Sequence, residues 1–268
     1  MKSITFDLAI SLITVLFICL IVLPIVSMFT ATSVAELIHQ CTLPAVWSAI
    51  ITSLETSLFV VFLALCFGVP VAYLLATTRF RGKEILDTII DLPLALPPLV
   101  AGLALLLVFG GNGEVGHFLN QHGCMFIFSK KGIIAAQLFV SAPFLIKSAR
   151  EAFESIDENI IMASLSFGAS KFYTFRRISV PLAKNGIYSG MVMTWARAMG
   201  EFGATSMVAG CVPFKTETMT IAIYKNAMAG NLSSSIAIAI LLTLFSFTFL
   251  AFFKLMVKKG RMQGIICH

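Results

Sequence analysis

From Leu8 to Phe29 the chain passes through 22 residues without one charged side chain. A run of that length has no place in the core of a small globule. It fits a helix crossing a bilayer, because a hydrocarbon core of ~30 Å takes about 20 residues at roughly 1.5 Å each. It is also longer and more continuous than the apolar centre of a signal peptide, and no small-residue cleavage site follows at the right distance, so it is expected to be retained. Five further runs read the same way, at about 53–76, 88–109, 132–149, 186–209 and 236–257. A closed β-barrel would need alternating strands of ~10 residues, and these runs do not alternate. The expected fold class is therefore all-α integral membrane, with six transmembrane helices in a single domain over residues 1–268. Composition agrees: 58% of residues are hydrophobic and 12% charged, against about 45–50% and 25% in soluble domains.

The 19 Lys and Arg are unevenly divided between the connecting segments. One side collects 14 of them: Lys2; Arg79, Arg81 and Lys83; Lys147, Arg150, Lys171, Arg176, Arg177 and Lys184; Lys254, Lys258, Lys259 and Arg261. The other side has four, Lys130, Lys131, Lys215 and Lys225, and Arg197 falls inside the fifth run. Cytoplasmic flanks attract cations. Both termini and the long 150–185 segment are expected in the cytoplasm, in a multi-pass protein of the cell (cytoplasmic or inner) membrane. The net charge of +6 then reflects topology and membrane lipid rather than a nucleic-acid partner.

No chemistry is legible. The pair Gly82-Lys83 is followed by Glu84 and lacks the upstream glycine of a phosphate-cradling loop, so the chain has no ATP site of its own by this reading. His39, His117, His122 and His268 fall in loops or the tail, and they form no metal or nucleophile constellation. The six cysteines show no C-x-x-C; Cys41, Cys124 and Cys211 lie in connecting segments where pairing is open, unpaired thiols being the commoner state. No catalytic residue, metal site or cofactor is expected. Such a chain is a channel, a secondary transporter, a scaffold, or a subunit of a larger machine.

The 150–185 segment discriminates among these. Asp157 or Asn159 suits the cap of a short helix whose apolar face uses Ile160, Ile161 and Phe167. Gly168 is placed to end that helix in a left-handed conformation, and Pro181 to stop the following piece and redirect the chain. Small residues (Ala163, Ser164, Ser166, Ala169, Ser170) are expected on the outer surface. The segment reads either as an interfacial helix in the headgroups or as a docking surface for a cytoplasmic partner.

Two stretches inside the spans carry further signals. Pro97 and Pro98 fall near the middle of the third run, where two missing amide hydrogens kink or open a helix. That opening serves either packing or a water-filled path, since freed carbonyls at membrane depth are tolerated only against protein or water. In the fifth run Arg197 and Glu201 stand four residues apart, hence on one helix face. They form either a self-neutralising structural pair or a positive potential along an anion's route. Gly200, Gly203 and Ala204 around them permit close helix approach.

Ala163, Gly168, Ile178 and Pro181 resemble the EAA-x3-G-x9-I-x-L-P loop of permeases of ATP-binding-cassette (ABC) importers. Met162 stands where that family usually has Glu, Ser164 for the second Ala, and Val180 for Leu. Leu92-Pro93-Leu94-Ala95-Leu96-Pro97-Pro98-Leu99-Val100-Ala101-Gly102 is similar to the third-span signature of oxyanion importers. The run from Arg197 to Thr205, with Ala209-Gly210, Pro213 and Lys215-Thr216-Glu217-Thr218, is similar to molybdate/tungstate permeases. The resemblance spans about residues 50–255. It implies an ABC type I importer permease architecture and a coupling role for Met162, Ala163, Ser164, Gly168, Ala169, Ser170, Ile178 and Pro181. It also implies a translocation path including Pro97, Pro98, Gly102, Arg197, Gly200, Glu201, Gly203 and Thr205. The partners implied are two copies of a cytoplasmic ATP-binding subunit that hydrolyses the ATP, a second permease copy (a homodimer), and an extracytoplasmic oxyanion-binding protein. Sulfate or thiosulfate permeases share the scaffold and are the alternative; an ATPase-independent transporter or channel is the more remote one.

Overall fold

Hydroxyl and carboxylate caps mark where many of the helices begin. In the computed structural model Ser33, Ser129, Asp157, Ser170 and Thr218 each accept a backbone N–H from the first turn of the helix they precede, which satisfies one of the amides left free there. Residues 2–111 and 113–265 are described, with side chains over 6–111 and 113–253. Lys2, Lys254, Lys258, Lys259 and Arg261 of the charge tally, with Cys267 and His268, lie outside the described side chains.

The chain runs through α1 (Lys2–Thr30), α2 (Val34–Thr42), α3 (Pro44–Leu63), a π turn (Ala64–Gly68), α4 (Val69–Thr77), α5 (Lys83–Ala95), α6 (Pro98–Phe109) and α7 (Glu114–Gln121). It continues with α8 (Lys130–Glu154), α9 (Glu158–Ser166), α10 (Lys171–Thr174), a second π turn (Phe175–Ser179), α11 (Val180–Leu182), α12 (Lys184–Met199), α13 (Gly203–Ala209), α14 (Met219–Met228) and α15 (Leu232–Ile265). No strand occurs among the described residues. His39 and His117, expected in loops, sit exposed on the short helices α2 and α7.

Among the described residues, four helical stretches are long and apolar enough to cross a membrane: Phe6–Thr30, Pro44–Thr77, Lys130–Glu154 and Leu232–Phe253. The first, second and fourth expected spans lie within them, and the sixth overlaps the last from residue 236 to 253. The third does not form one rod. Its two halves, α5 and α6, meet at 113°. Nor is the 186–209 run continuous, since α12 ends at Met199 and α13 starts at Gly203.

Three apolar clusters hold the bundle. Trp195 and Met199 of α12 meet Val46 and Val61 near the two ends of α3, Met219 of α14 and Ile238 of α15. Leu145, Ala149 and Phe153 of α8 meet Val69 and Ala72 of α4 and Ile187 of α12. Ala136 and Val140 of α8 meet Ala101 of α6 and Ala204 and Val208 of α13. Helix α12 lies close along α8: Ser148 Oγ donates to the Gly186 carbonyl at 2.8 Å. A Cβ on Gly190 would come within 2.9 Å of the Leu145 Cα. Small residues four apart let two backbones approach in this way. At the opposite extreme, the apolar window of α1 is wholly unburied, as a helix bathed in lipid would be.

Two of the prolines explain the two π turns. Pro70 and Pro181 each follow one by two residues. A proline ring crowds the carbonyl four residues back and cannot donate to it; widening the preceding turn relieves both problems and lets the helix go on. Pro181 therefore does not stop its segment, as the sequence suggested. Helix continues through Leu182 and, after Ala183, into α12.

Candidate translocation and coupling sites

At the first break, Pro97 is the cap of α6 and Pro98 its first residue. At that position the missing N–H would have had no helical partner and the fixed φ suits the turn. The span opens at these prolines, as expected of them, and Pro98 starts the new helix. Helix α5 is tied to α8 by ion pairs: Lys147 Nζ to Asp91 Oδ2 at 2.9 Å, and Arg150 Nη1 to Asp87 Oδ1.

At the second break, Gly200 closes α12 and Glu201 lies beyond the helix end, not on its face. Its carboxylate nevertheless turns back to Arg197 Nη1 at 2.5 Å. The other oxygen, Oε1, accepts the Ala204 amide at 2.8 Å in the first turn of α13. The Glu201 carbonyl accepts from Thr220 Oγ1 at 2.9 Å. One acid thus joins α12, α13 and α14. Its side chain is 1% exposed, whereas Arg197 is 29% exposed, so the pair has a buried acid and a cation reaching toward the surface of the chain.

The two breaks meet. A Cβ on Gly203 would lie 2.7 Å from Pro98 Cβ, and one on Gly102 would lie 2.8 Å from Ala204 Cα and from Met207 Cβ. Of the expected path residues, Pro97, Pro98 and Gly200 are exposed on the isolated chain, while Gly102, Glu201 and Thr205 are buried. Thr205 Oγ1 and Gln137 Oε1 of α8 are buried without a hydrogen-bond partner among the described residues. Gln137 was not singled out from sequence, nor were Gly186 and Gly190, whose G-x-x-x-G spacing was the available signal.

In the candidate coupling segment Asp157 is the cap, its Oδ1 accepting from the Asn159 amide at 2.9 Å. Gly168 takes φ +83°, the left-handed value expected of it. Met162, Ala163, Ser166 and Phe167 are exposed, with Phe167 at 92%. Ser164 is not. It is buried, its hydroxyl 2.9 Å from Thr174 Oγ1, and so locks α9 onto α10 instead of facing outward. Ser170 caps α10, Ala169 and Ile178 are half-buried, and Pro181 is exposed.

Cys19, Cys41, Cys66, Cys124 and Cys211 are free thiols. Burial pushes the Cys211 thiol above its ordinary value, with Glu217 adding to the effect.

Residues 64–261 match the family described as the binding-protein-dependent transport system inner membrane component. The chain belongs to this family. The permease is 41% identical over 194 residues to the molybdate/tungstate transport system permease protein WtpB of Pyrococcus abyssi (strain GE5 / Orsay), covering 70% of this chain and 72% of that one. It is 31% identical over 227 residues to the probable sulfate transport system permease protein cysT of Chlorella vulgaris, covering 84% and 85%. Its fold is similar to a chain of the bacterial alginate ABC transporter in complex with an alginate pentasaccharide-bound periplasmic protein, with a TM-score of 0.77 at 16% identity over 95% of this chain and 94% of that one. The fold is that of an ABC type I importer permease. It is a membrane component, and ATP is hydrolysed by a separate subunit.

Proposed function

We propose that this permease carries molybdate or tungstate inward, delivered by an extracytoplasmic oxyanion-binding protein. Two copies form the path and two ATPase subunits dock beneath them. The observation that carries the reading is the double break, where helix ends made by Pro97-Pro98 and by Gly200 to Gly203 pack on each other beside Arg197. Broken backbone at membrane depth is tolerated only against protein or water. A cation fixed by one buried carboxylate gives such a route a positive lining suited to an anion. Met162, Ala163, Phe167 and the turn at Gly168 offer the surface that enters the ATPase, and closure of the ATPases moves that segment and switches the permease between outward and inward states. Both termini and the α9 segment face the cytoplasm, in keeping with the 14 cations on that side.

The test is uptake of labelled molybdate, tungstate and sulfate by proteoliposomes holding the permease, its ATPase and its binding protein. ATP-dependent accumulation of molybdate or tungstate in preference to sulfate is expected. Preference for sulfate would replace the substrate; uptake without ATPase would make the chain a secondary transporter or channel.

A further inference from the structure

Two membrane-crossing stretches end side by side, one at Thr77 and one at Glu154. Their ends border a cavity of about 600 Å³ closed on its far side by α9. Three cations line it, Arg79, Lys83 and Lys171. None of them is in an ion pair among the described residues. Two carboxylates also line it, but Glu154 is engaged by Arg150 Nε at 2.8 Å, which leaves Glu158. The balance of unpaired charge is positive.

The wall is apolar. Tyr73 and Phe153 stand edge to face, with ring centroids 5.3 Å apart. The lining also includes Ile161, Met162 and Leu165 of α9. Met162 is 61% exposed, and it stands where the importer loop usually carries Glu, so this part of the lining has no acid at its centre. A small inorganic anion would use the cations and leave this wall wet. An amphiphile satisfies both, and the ends of two spans put the cavity at the bilayer boundary, where cations on flexible stems meet headgroups.

We propose that this cavity holds the headgroup of an anionic phospholipid, its phosphate among Arg79, Lys83 and Lys171 and the first part of its acyl chain against Tyr73, Phe153 and Leu165. The site requires only that the chain lies in a membrane. It does not depend on which oxyanion is carried.

The test is lipid retention by the purified permease–ATPase complex, read by native mass spectrometry with phosphatidylglycerol or phosphatidylcholine of equal chain length. The wild type should keep phosphatidylglycerol about tenfold better or more, as expected for three nearby cations, and the Arg79→Gln/Lys83→Gln/Lys171→Gln variant should keep both alike. Lys171→Gln alone should give a partial loss, which covers the case in which the triple variant does not assemble. Equal retention by the wild type, or a preference untouched by the substitutions, would overturn the site. Displacement of the lipid by inorganic phosphate would reassign it to a free anion. A triple variant that sheds the ATPase while keeping its lipid preference would make the cavity a protein interface. Uptake plays no part in these readings, so their failure is distinct from failure of the transport proposal.

Discussion

Gly102 of α6 and Ala204 of α13 touch backbone to backbone, since a methyl group on Gly102 would sit 2.8 Å from the Ala204 Cα and 3.0 Å from its carbonyl oxygen. Backbone atoms have little room to yield. Gly102→Ala should therefore cost about 1–3 kcal/mol, the usual range for overpacking, and lower the thermal midpoint of the purified permease. At Gly200 the added Cβ would meet only the Ala196 carbonyl at 3.5 Å, and Gly200→Ala should stay within about 0.5 kcal/mol. Equal effects at the two sites would mean that the breaks are not packed as described.

Arg197 and Glu201 invite a double-mutant cycle. Arg197→Gln leaves a buried carboxylate without its cation, and about 1–3 kcal/mol of stability should be lost, below the value for a fully buried pair because Arg197 is partly exposed. Arg197→Gln/Glu201→Gln removes the stranded charge and keeps an oxygen for the Ala204 amide. Assembly should recover in the double variant while uptake stays low. Replacing Glu201 by Met in the same background removes the acceptor too, so assembly should recover less. Full recovery of uptake in the Gln/Gln variant would make the pair structural only.

In the α9 segment two substitutions act by different means. Gly168→Val puts a branched side chain at φ +83°, a local cost of about 1–2 kcal/mol or more. Ala163→Trp leaves the backbone alone and enlarges an exposed face. Both variants should insert normally, yet lose co-purification of the ATPase or hydrolyse ATP without uptake. Normal uptake by both would make α9 an interfacial helix.

Orientation is checked by labelling. In a background with the native cysteines replaced by serine, Ser155→Cys should react with a membrane-impermeant maleimide only from the cytoplasmic side, and Asn120→Cys only from outside; both positions are exposed. The reverse pattern would invert the topology.

Local chemistry was the legible part of the sequence. Residue type alone narrowed the cap to Asp157 or Asn159, of which the structure takes Asp157, and the left-handed stop at Gly168 stands. The rod at 8–29 followed from a run without one charge, and that at 132–149 from a mostly apolar run. The break at 200–202 was hidden because Arg197 and Glu201, four residues apart, fit one face of an unbroken helix equally well. At the break Glu201 serves three helices, its carboxylate holding α12 and α13 and its backbone carbonyl α14, a relation that exists only once α14 is in place. Ser164 misled for a similar reason: a small polar residue reads as surface until Thr174, ten positions on, supplies its partner. The spacing of Gly186 and Gly190 was in plain view, but their role depends on Ser148 and Leu145 of another helix.

The π turn at Phe175–Ser179 amounts to one extra residue wound into an otherwise regular helix, so it also works as a buffer of chain length. Removing a single residue there would let the turn close to ordinary α geometry and leave the helix on either side with nearly the same heading. Removing one from regular helix would instead rotate one side against the other by about 100° about the helix axis. In this permease a natural relative one residue shorter just ahead of Pro181 can therefore aim the same α9 surface unchanged.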